Sequence, residues 1–372
     1  MAKRIIISGG GTGGHIFPAV AIANALKRLA PDTEILFVGA NGRMEMERVP
    51  AAGFEIVGLD IQGINRQSVW KNLALPFKLY KSMRKARRVI QDFKPDVAVG
   101  VGGYASGPLL HVASRLGIPC LIQEQNSYAG ITNKRLAPRV AKICVAFDGM
   151  ERFFPRAKLL FTGNPIRRES VNIQGKREEA LEWLGFSAEK KTILVTGGSL
   201  GSRTLNECMA DGLTRLAAAD VQLIWQCGQY YYEGLKPIVA GRGTGVKLTA
   251  FLQRMDLAYA AADIIIGRAG AGTIAELCAV GKPSILVPSP NVAEDHQTKN
   301  AMALTDKDAA VMISDAEAPD RLMKAALDLL MDEARCAELG VNIRKLAILD
   351  ADEAIAHEVL RLAAEGQDKN NS

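Results

Sequence analysis

Long apolar runs are missing from this sequence. None reaches the eighteen or so residues that a membrane-crossing helix needs, and the opening "MAKRIIISGGG" has too short an apolar stretch for a signal peptide. A cytoplasmic location is therefore expected. Cysteine patterns are equally scarce: Cys120, Cys144, Cys208, Cys227, Cys278 and Cys336 form no C-x-x-C pair and have no neighbouring histidines. That argues against a zinc site or a disulfide framework and leaves them as small buried apolar groups. No D-x-D pair stands at a strand tip to hold a divalent ion between phosphates, so no obligatory metal and no cofactor is expected.

Two further absences bear on the first glycine loop, "IIISGGGTGGHIFPA". His15 and Ile16 follow its last glycine where a phosphate-binding P-loop needs Lys-Ser or Lys-Thr. Gly9, Gly11 and Gly14 satisfy G-x-G-x-x-G, but the second strand, "EILFVGANG", ends on Gly39, Ala40 and Asn41 without the ribose-binding carboxylate of a dinucleotide site.

What is present is a unit of strand, glycine loop and helix. The run Ile5–Ile7 is β-branched and continuous, as in a strand buried on both faces of a parallel sheet. After the glycines, Val20, Ile22, Ala23, Leu26 and Leu29 recur at helical spacing, with Pro18 placed as a first-turn proline. Such a junction directs backbone N–H groups at an oxyanion, with no Cβ atoms to hold it off. A packing turn without a ligand is the alternative.

The unit repeats. Strands are predicted at 5–7, 35–38, 97–101, 119–122, 142–147 and 158–161. After "TGNPIRRES" the pattern restarts with "KTILVTGGSLGSRTLNECM" and continues at 221–226, 246–250, 263–266, 284–287 and 310–313. The expected fold class is α/β: two Rossmann-like, doubly wound parallel-sheet domains facing a cleft. Their expected ranges are 1–164 and 165–340, with a helix at 341–365 that packs on either domain and a frayed tail at 366–372. Hydrophobic residues at 48% and charged residues at 23% fit a soluble globular chain, and 372 residues suffice for two cores.

Four more loops stand at strand ends: "GVGGYASGP", "QEQNSYAG", "TGGSLGS" and "GRAGAGTIAEL". In the last, the small residues Gly270–Gly272 leave room for a ligand at a helix start. Glu276 follows Thr273 by three residues, so it is either the capping-box partner of Thr273 or an acceptor for vicinal hydroxyls such as those of a ribose. His15 is the histidine inside a glycine loop, where it can take up a proton near neutral pH.

The stretches "GGGTGGHIFPA", "GVGGYASGP", "EQNSYAGITNK", "TGNPIR", "TGGSLG", "GRAGAGTIAEL" and "DHQTKNA", in this order across residues 9–301, resemble the MurG family of peptidoglycan N-acetylglucosaminyltransferases. The resemblance implies the GT-B fold. It also implies inverting transfer of N-acetylglucosamine from UDP-N-acetylglucosamine to the C4 hydroxyl of lipid I, the undecaprenyl-diphosphate-linked muramoyl-pentapeptide, to give lipid II. On matching positions, Thr12, Gly13, Gly14 and Asn126 would contact the donor from the amino-terminal domain. Arg167, Ser199, Leu252, Ala271, Gly272, Thr273, Ile274, Ala275, Glu276 and Gln297 would hold it from the other. By the family pattern Glu276 takes the ribose, Leu252 lies by the uracil and Gln297 reaches the sugar. Two positions depart from the pattern: Leu200 stands where glutamine is common, and Thr298 stands where some members carry a second glutamine.

An inverting transfer needs a base and a stabilised leaving diphosphate. His15 is the expected base, with Glu124 as the alternative or as its orienting partner. N–H groups around Ser199 and Ala271–Thr273, with the Arg167 guanidinium, would meet the diphosphate. Residues 71–88, "KNLALPFKLYKSMRKARR", hold seven Lys or Arg and no acid. Trp70, Leu73, Leu75, Phe77, Leu79 and Tyr80 interleave with them, which suits either an anionic membrane surface or a helix buried on its apolar side. The expected partners are thus the sugar nucleotide, lipid I in the cytoplasmic leaflet, the membrane's inner face and cell-wall synthesis proteins, with no nucleic acid.

Overall fold

The computed structural model describes residues 2–61, 75–198, 200–241, 245–292 and 295–371. The chain divides into two compact units, 1–166 with 349–372, and 167–348. In the first, the order is β1 (Arg4–Gly9), α1 (Gly13–Leu29), β2 (Glu34–Ala40), α2 (Glu45–Ala51), β3 (Glu55–Leu59), α3 (Leu75–Phe93), β4 (Val97–Gly102), α4 (Ser106–Arg115), β5 (Cys120–Glu124), α5 (Ile131–Leu136), β6 (Lys142–Val145) and β7 (Leu159–Phe161). The second runs through α6 (Arg168–Val171), α7 (Arg177–Leu184), β8 (Thr192–Thr196), α8 (Arg203–Ala218), β9 (Gln222–Gln226), α9 (Gln229–Ala240), β10 (Val246–Thr249) and α10 (Met255–Ala261). It continues with β11 (Ile264–Gly267), α11 (Ala271–Val280), β12 (Ser284–Leu286), α12 (His296–Thr305), β13 (Val311–Met312), α13 (Ala318–Met331) and α14 (Glu333–Arg344), and α15 (Ala351–Asn371) returns to the first unit.

Both sheets are parallel, with orders β3-β2-β1-β4-β5-β6-β7 and β10-β9-β8-β11-β12-β13. The alternation of side chains along a strand explains the continuous apolar runs. Ile5 and Ile7 face one core with Val97, Val99 and Leu121, while Ile6 faces another with Ala98, Ile122 and Ile143. Each such fully buried side chain is worth about 1.5–3 kcal/mol. Strand order reverses between β1 and β4 and between β8 and β11. Those are the switch points where open α/β sheets bind ligands, and glycine loops follow all four strands.

Three expectations change. Strand β3 lies in "FEIVGLD", where Glu55, Gly58 and Asp60 break up the continuous apolar run that marks the other strands. The single helix expected at 341–365 is two: α14 belongs to the second unit, where the Arg344 guanidinium holds the Ala279 carbonyl, and α15 to the first. Ile355, Ala356, Val359, Leu362 and Ala363 of α15 complete the core beneath β1 and β4, and its helix runs on to Asn371 through the tail expected to fray. Pro18 is the sixth residue of α1 rather than in its first turn, because the loop itself winds into helix: the Thr12 carbonyl accepts from the N–H of His15 (3.1 Å) and of Ile16 (3.2 Å). Five of the cysteines are buried, and burial pushes the thiols of Cys120, Cys144 and Cys278 up to about 12, so they are inert packing groups.

Candidate functional site

In the first unit the loops after β1 and β4 touch. Gly102 (φ +101°) and Gly103 (φ +92°) adopt backbone that only glycine enters readily, and a side chain at either would run into the His15 ring or the Gly10 backbone. The His15 imidazole therefore lies over Gly102, half-buried. Its Nδ1 is 3.1 Å from the Gly10 carbonyl oxygen and 3.3 Å from the Thr12 hydroxyl. A carbonyl only accepts, so Nδ1 carries the proton and the lone pair sits on Nε2. Gly13 is buried at the start of α1, whereas Thr12 and Gly14 are exposed.

Sequence reasoning missed Glu45. This carboxylate, 1% exposed, accepts from the Gly11 N–H at 2.8 Å and from the Ala40 N–H at 3.0 Å. It fills the space beside Gly10 and Gly39 and occupies the acidic position that the tip of β2 lacked in sequence.

At the tip of β5, Glu124 and Gln125 are buried. Glu124 accepts from the N–H of Asn126 (3.1 Å) and Gly130 (2.9 Å) and from the amides of Asn126 (3.4 Å) and Asn133 (2.9 Å). It thus pins residues 126–130 to the start of α5. Gln123 donates to Asn164 (3.0 Å), and Asn164 donates to the Gln125 carbonyl (2.9 Å), which fastens the "TGNPIR" segment to the same edge. Asn126 remains half-buried.

In the second unit the structure brings Arg167, Glu276 and Tyr259 together. The Tyr259 hydroxyl, 1% exposed, donates to one oxygen of Glu276 at 2.9 Å, and an Arg167 nitrogen lies 3.8 Å from the other. Helix α11 is capped at Gly270, so Glu276 sits in the second turn, beyond reach of a capping box with Thr273. That alternative is removed. The Glu276 side chain keeps 16% exposure, and burial raises its carboxyl above the ordinary glutamate value while Arg167 and the Tyr259 hydroxyl pull it back down. Ala271, Gly272 and Thr273 form the first turn of α11 at the end of β11, and Ile274 is buried, which leaves only its backbone for a ligand. Ala275 is half-buried and Leu252 is buried just past β10.

Gln297, in the first turn of α12, accepts from the Ser289 N–H at 2.9 Å, which leaves its amide nitrogen as the donor end. Thr298 donates to Asp295 at 2.7 Å, and Leu200 is 73% exposed. Ser199 lies outside the described residues. Two ties that the sequence did not reveal, one partly buried and one buried, set these loops. Arg268 pairs with Asp315 at 2.5 Å and donates to the Val287 and Pro288 carbonyls, while Thr204 donates to Asp315. Gln226 accepts from Thr196 and donates to the Gly198 and Ala250 carbonyls. Each joins residues far apart in the chain, and no local spacing signals them.

On α3, Phe77 (72%), Leu79 and Tyr80 are exposed beside Lys81, Arg84, Lys85, Arg87 and Arg88, while Ala86 and Ile90 face the core. The reading in which the helix hides its leading apolar residues fails for these three. Trp70 and Leu73 lie outside the described residues, and of Leu75 only the backbone is described.

Paired parallel Rossmann-type sheets with glycine loops at their switch points are the architecture of GT-B glycosyltransferases. Residues 5–145 match the glycosyltransferase family 28 N-terminal domain, and residues 192–353 match the glycosyltransferase family 28 C-terminal domain. A relative from Parabacteroides distasonis, named UDP-N-acetylglucosamine--N-acetylmuramyl-(pentapeptide) pyrophosphoryl-undecaprenol N-acetylglucosamine transferase, is 56% identical over 96% of this chain and 98% of its own. The crystal structure of Acinetobacter baumannii MurG is 30% identical, with a TM-score of 0.76 over 96% of this chain and 99% of that one. A UDP-N-acetylglucosamine 2-epimerase structure, 14% identical with a TM-score of 0.65 over 96% of this chain and 95% of its own, shares the fold alone. The chain belongs to the MurG family.

Proposed function

We propose that this protein transfers N-acetylglucosamine from UDP-N-acetylglucosamine to the C4 hydroxyl of lipid I, producing lipid II with inversion at the anomeric carbon. Identity above one half across nearly the whole chain to a transferase of that name carries the reading. In this reading the hydroxyl oxygen bonds to the anomeric carbon, the bond to the diphosphate breaks with its electron pair, and His15 Nε2 takes the hydroxyl proton. Glu124 holds the 126–130 loop rather than acting as base, because four donors already occupy its oxygens. The second unit binds the nucleotide: Glu276 accepts from the ribose, the first turn of α11 and Arg167 face the diphosphate, Leu252 borders the uracil and Gln297 donates to the sugar.

The deciding experiment incubates purified protein with labelled UDP-N-acetylglucosamine, with and without a lipid I analogue. UDP release only when the acceptor is present is the expected result. Release without acceptor would point to an epimerase-type reaction, and binding without turnover to a sugar-nucleotide scaffold.

The exposed aromatic and basic face of α3 supports peripheral attachment to an anionic membrane, where a lipid-linked acceptor resides. No helix among the described residues is long and apolar enough to cross a membrane. Reversing charge at Lys81, Arg84 and Lys85 is expected to lower sedimentation with anionic vesicles by about tenfold or more, since each cation near such a surface is worth about 1 kcal/mol. Unchanged sedimentation would exclude this face. Partner proteins of the cell-wall machinery are a further expectation of the same surface location.

A further inference from the structure

The peptide group between Gly10 and Gly11 has both its polar atoms engaged by side chains. Its N–H, on Gly11, donates to Glu45 Oε2 at 2.8 Å, and its C=O, on Gly10, accepts from His15 Nδ1 at 3.1 Å. We propose that Glu45 is a positioning residue that acts on His15 through this one peptide. This rests on the reading of His15 as the base.

The physics is that of a polarised hydrogen-bond chain. A peptide is a planar resonance unit, so a carboxylate drawing on its N–H shifts electron density toward its carbonyl oxygen. The 2.8 Å contact is of charge-assisted length. A more negative Gly10 oxygen holds Nδ1–H more firmly, fixes the tautomer with its lone pair on Nε2, and stabilises the imidazolium that forms when Nε2 takes the acceptor's proton. That proton stays on Nε2, and Glu45 remains a carboxylate throughout. The arrangement also answers what the first glycine loop is for. The Gly11 N–H that would cradle a phosphate is already held by the protein's own anion, so the loop serves to hold a histidine.

Among the described residues, α1 packs against β1, β4, α2 and α15. β4 brings no ionisable side chain, and the loop after it brings Tyr104, whose ring lies against Gly11. On α2, Glu47 and Arg48 are exposed while Glu45 is buried. The acids of α15, Asp352 and Glu353, pair with Arg28 at the opposite end of α1.

Glu45→Gln keeps the shape and removes the charge. The chain holds four histidines, so the His15 imidazole signal in an NMR titration of the full-length protein can be assigned by its loss in His15→Ala. Across about 7–8 Å of peptide and hydrogen bonds, loss of one negative charge should lower the His15 midpoint by about 0.4–1.5 pH units. The acidic limb of the kcat/KM profile should move by the same amount, and kcat at a pH above both midpoints should fall about three- to tenfold. UDP affinity should stay as in the parent. In a His15→Ala background, Glu45→Gln should cost no further turnover. An unchanged midpoint, or an added loss in that background, would mean that Glu45 only shapes the loop and would overturn the proposal. Full turnover in His15→Ala would remove the base assignment, while the midpoint would still decide the coupling between Glu45 and His15.

Discussion

Replacing His15 by alanine is expected to lower kcat by about 10²–10⁴ while the donor KM and the melting temperature change little. The ring packs over Gly102 and is only half-buried, so its loss opens little core. What disappears is a proton acceptor whose tautomer is set by the Gly10 carbonyl. A base works in its neutral form, so parent activity should fall as pH drops through the His15 midpoint, and that limb should be absent from the alanine variant. Steady-state kinetics across pH, with UDP binding as the folding control, make the check. Turnover within a few-fold of the parent would show that another group takes the proton.

Glu276→Ala should act on the other half of the reaction. Loss of charged hydrogen bonding to the ribose, about 1.5–3 kcal/mol, should raise the donor KM by about 10- to 150-fold with a smaller change in kcat. The substitution also strips the buried Tyr259 hydroxyl of its acceptor, so some stability will be lost. Glu276→Gln keeps an acceptor for Tyr259 and separates the two effects: it should melt near the parent yet still bind UDP weakly. Because burial raises the Glu276 carboxyl, donor affinity in the parent should begin to weaken, as pH falls, at a higher pH than an ordinary glutamate would give. An unchanged donor KM in both variants would make Glu276 a partner of Tyr259 and Arg167 and nothing more.

Much of the fold was legible because its signals are local. Ile5–Ile7 and Ile264–Ile266 read as strands because a sheet covered on both faces needs apolar residues at every position, and glycine loops mark where the strands end. The boundary near Gly163–Arg168 was visible as a break in that alternation, and the structure divides the chain after Ile166. Strand β3 was missed because Glu55, Gly58 and Asp60 leave only Ile56 and Val57 as adjacent apolar residues, too short a run to stand out despite the Gly53 turn before it.

The site was legible only in part. Thr273 and Glu276 offered two geometries at one spacing, and the helix start at Gly270 chose between them. Glu124 looked like a ligand-facing carboxylate because it stands at a strand tip, yet its own loop supplies the donors that fill it.

The sequence by itself determined the strand and helix periods, the glycine loops and the family they resemble, since all of these are set by neighbours a few residues apart. Only the tertiary structure decided that Glu45 reaches Gly11 across 34 positions, that Tyr259 meets Glu276 and that α15 closes the first core over α1. The reason is the same in each case. A buried hydrogen bond or apolar contact between distant segments exists only once parallel strands have set their helices and loops side by side, and no local period encodes it.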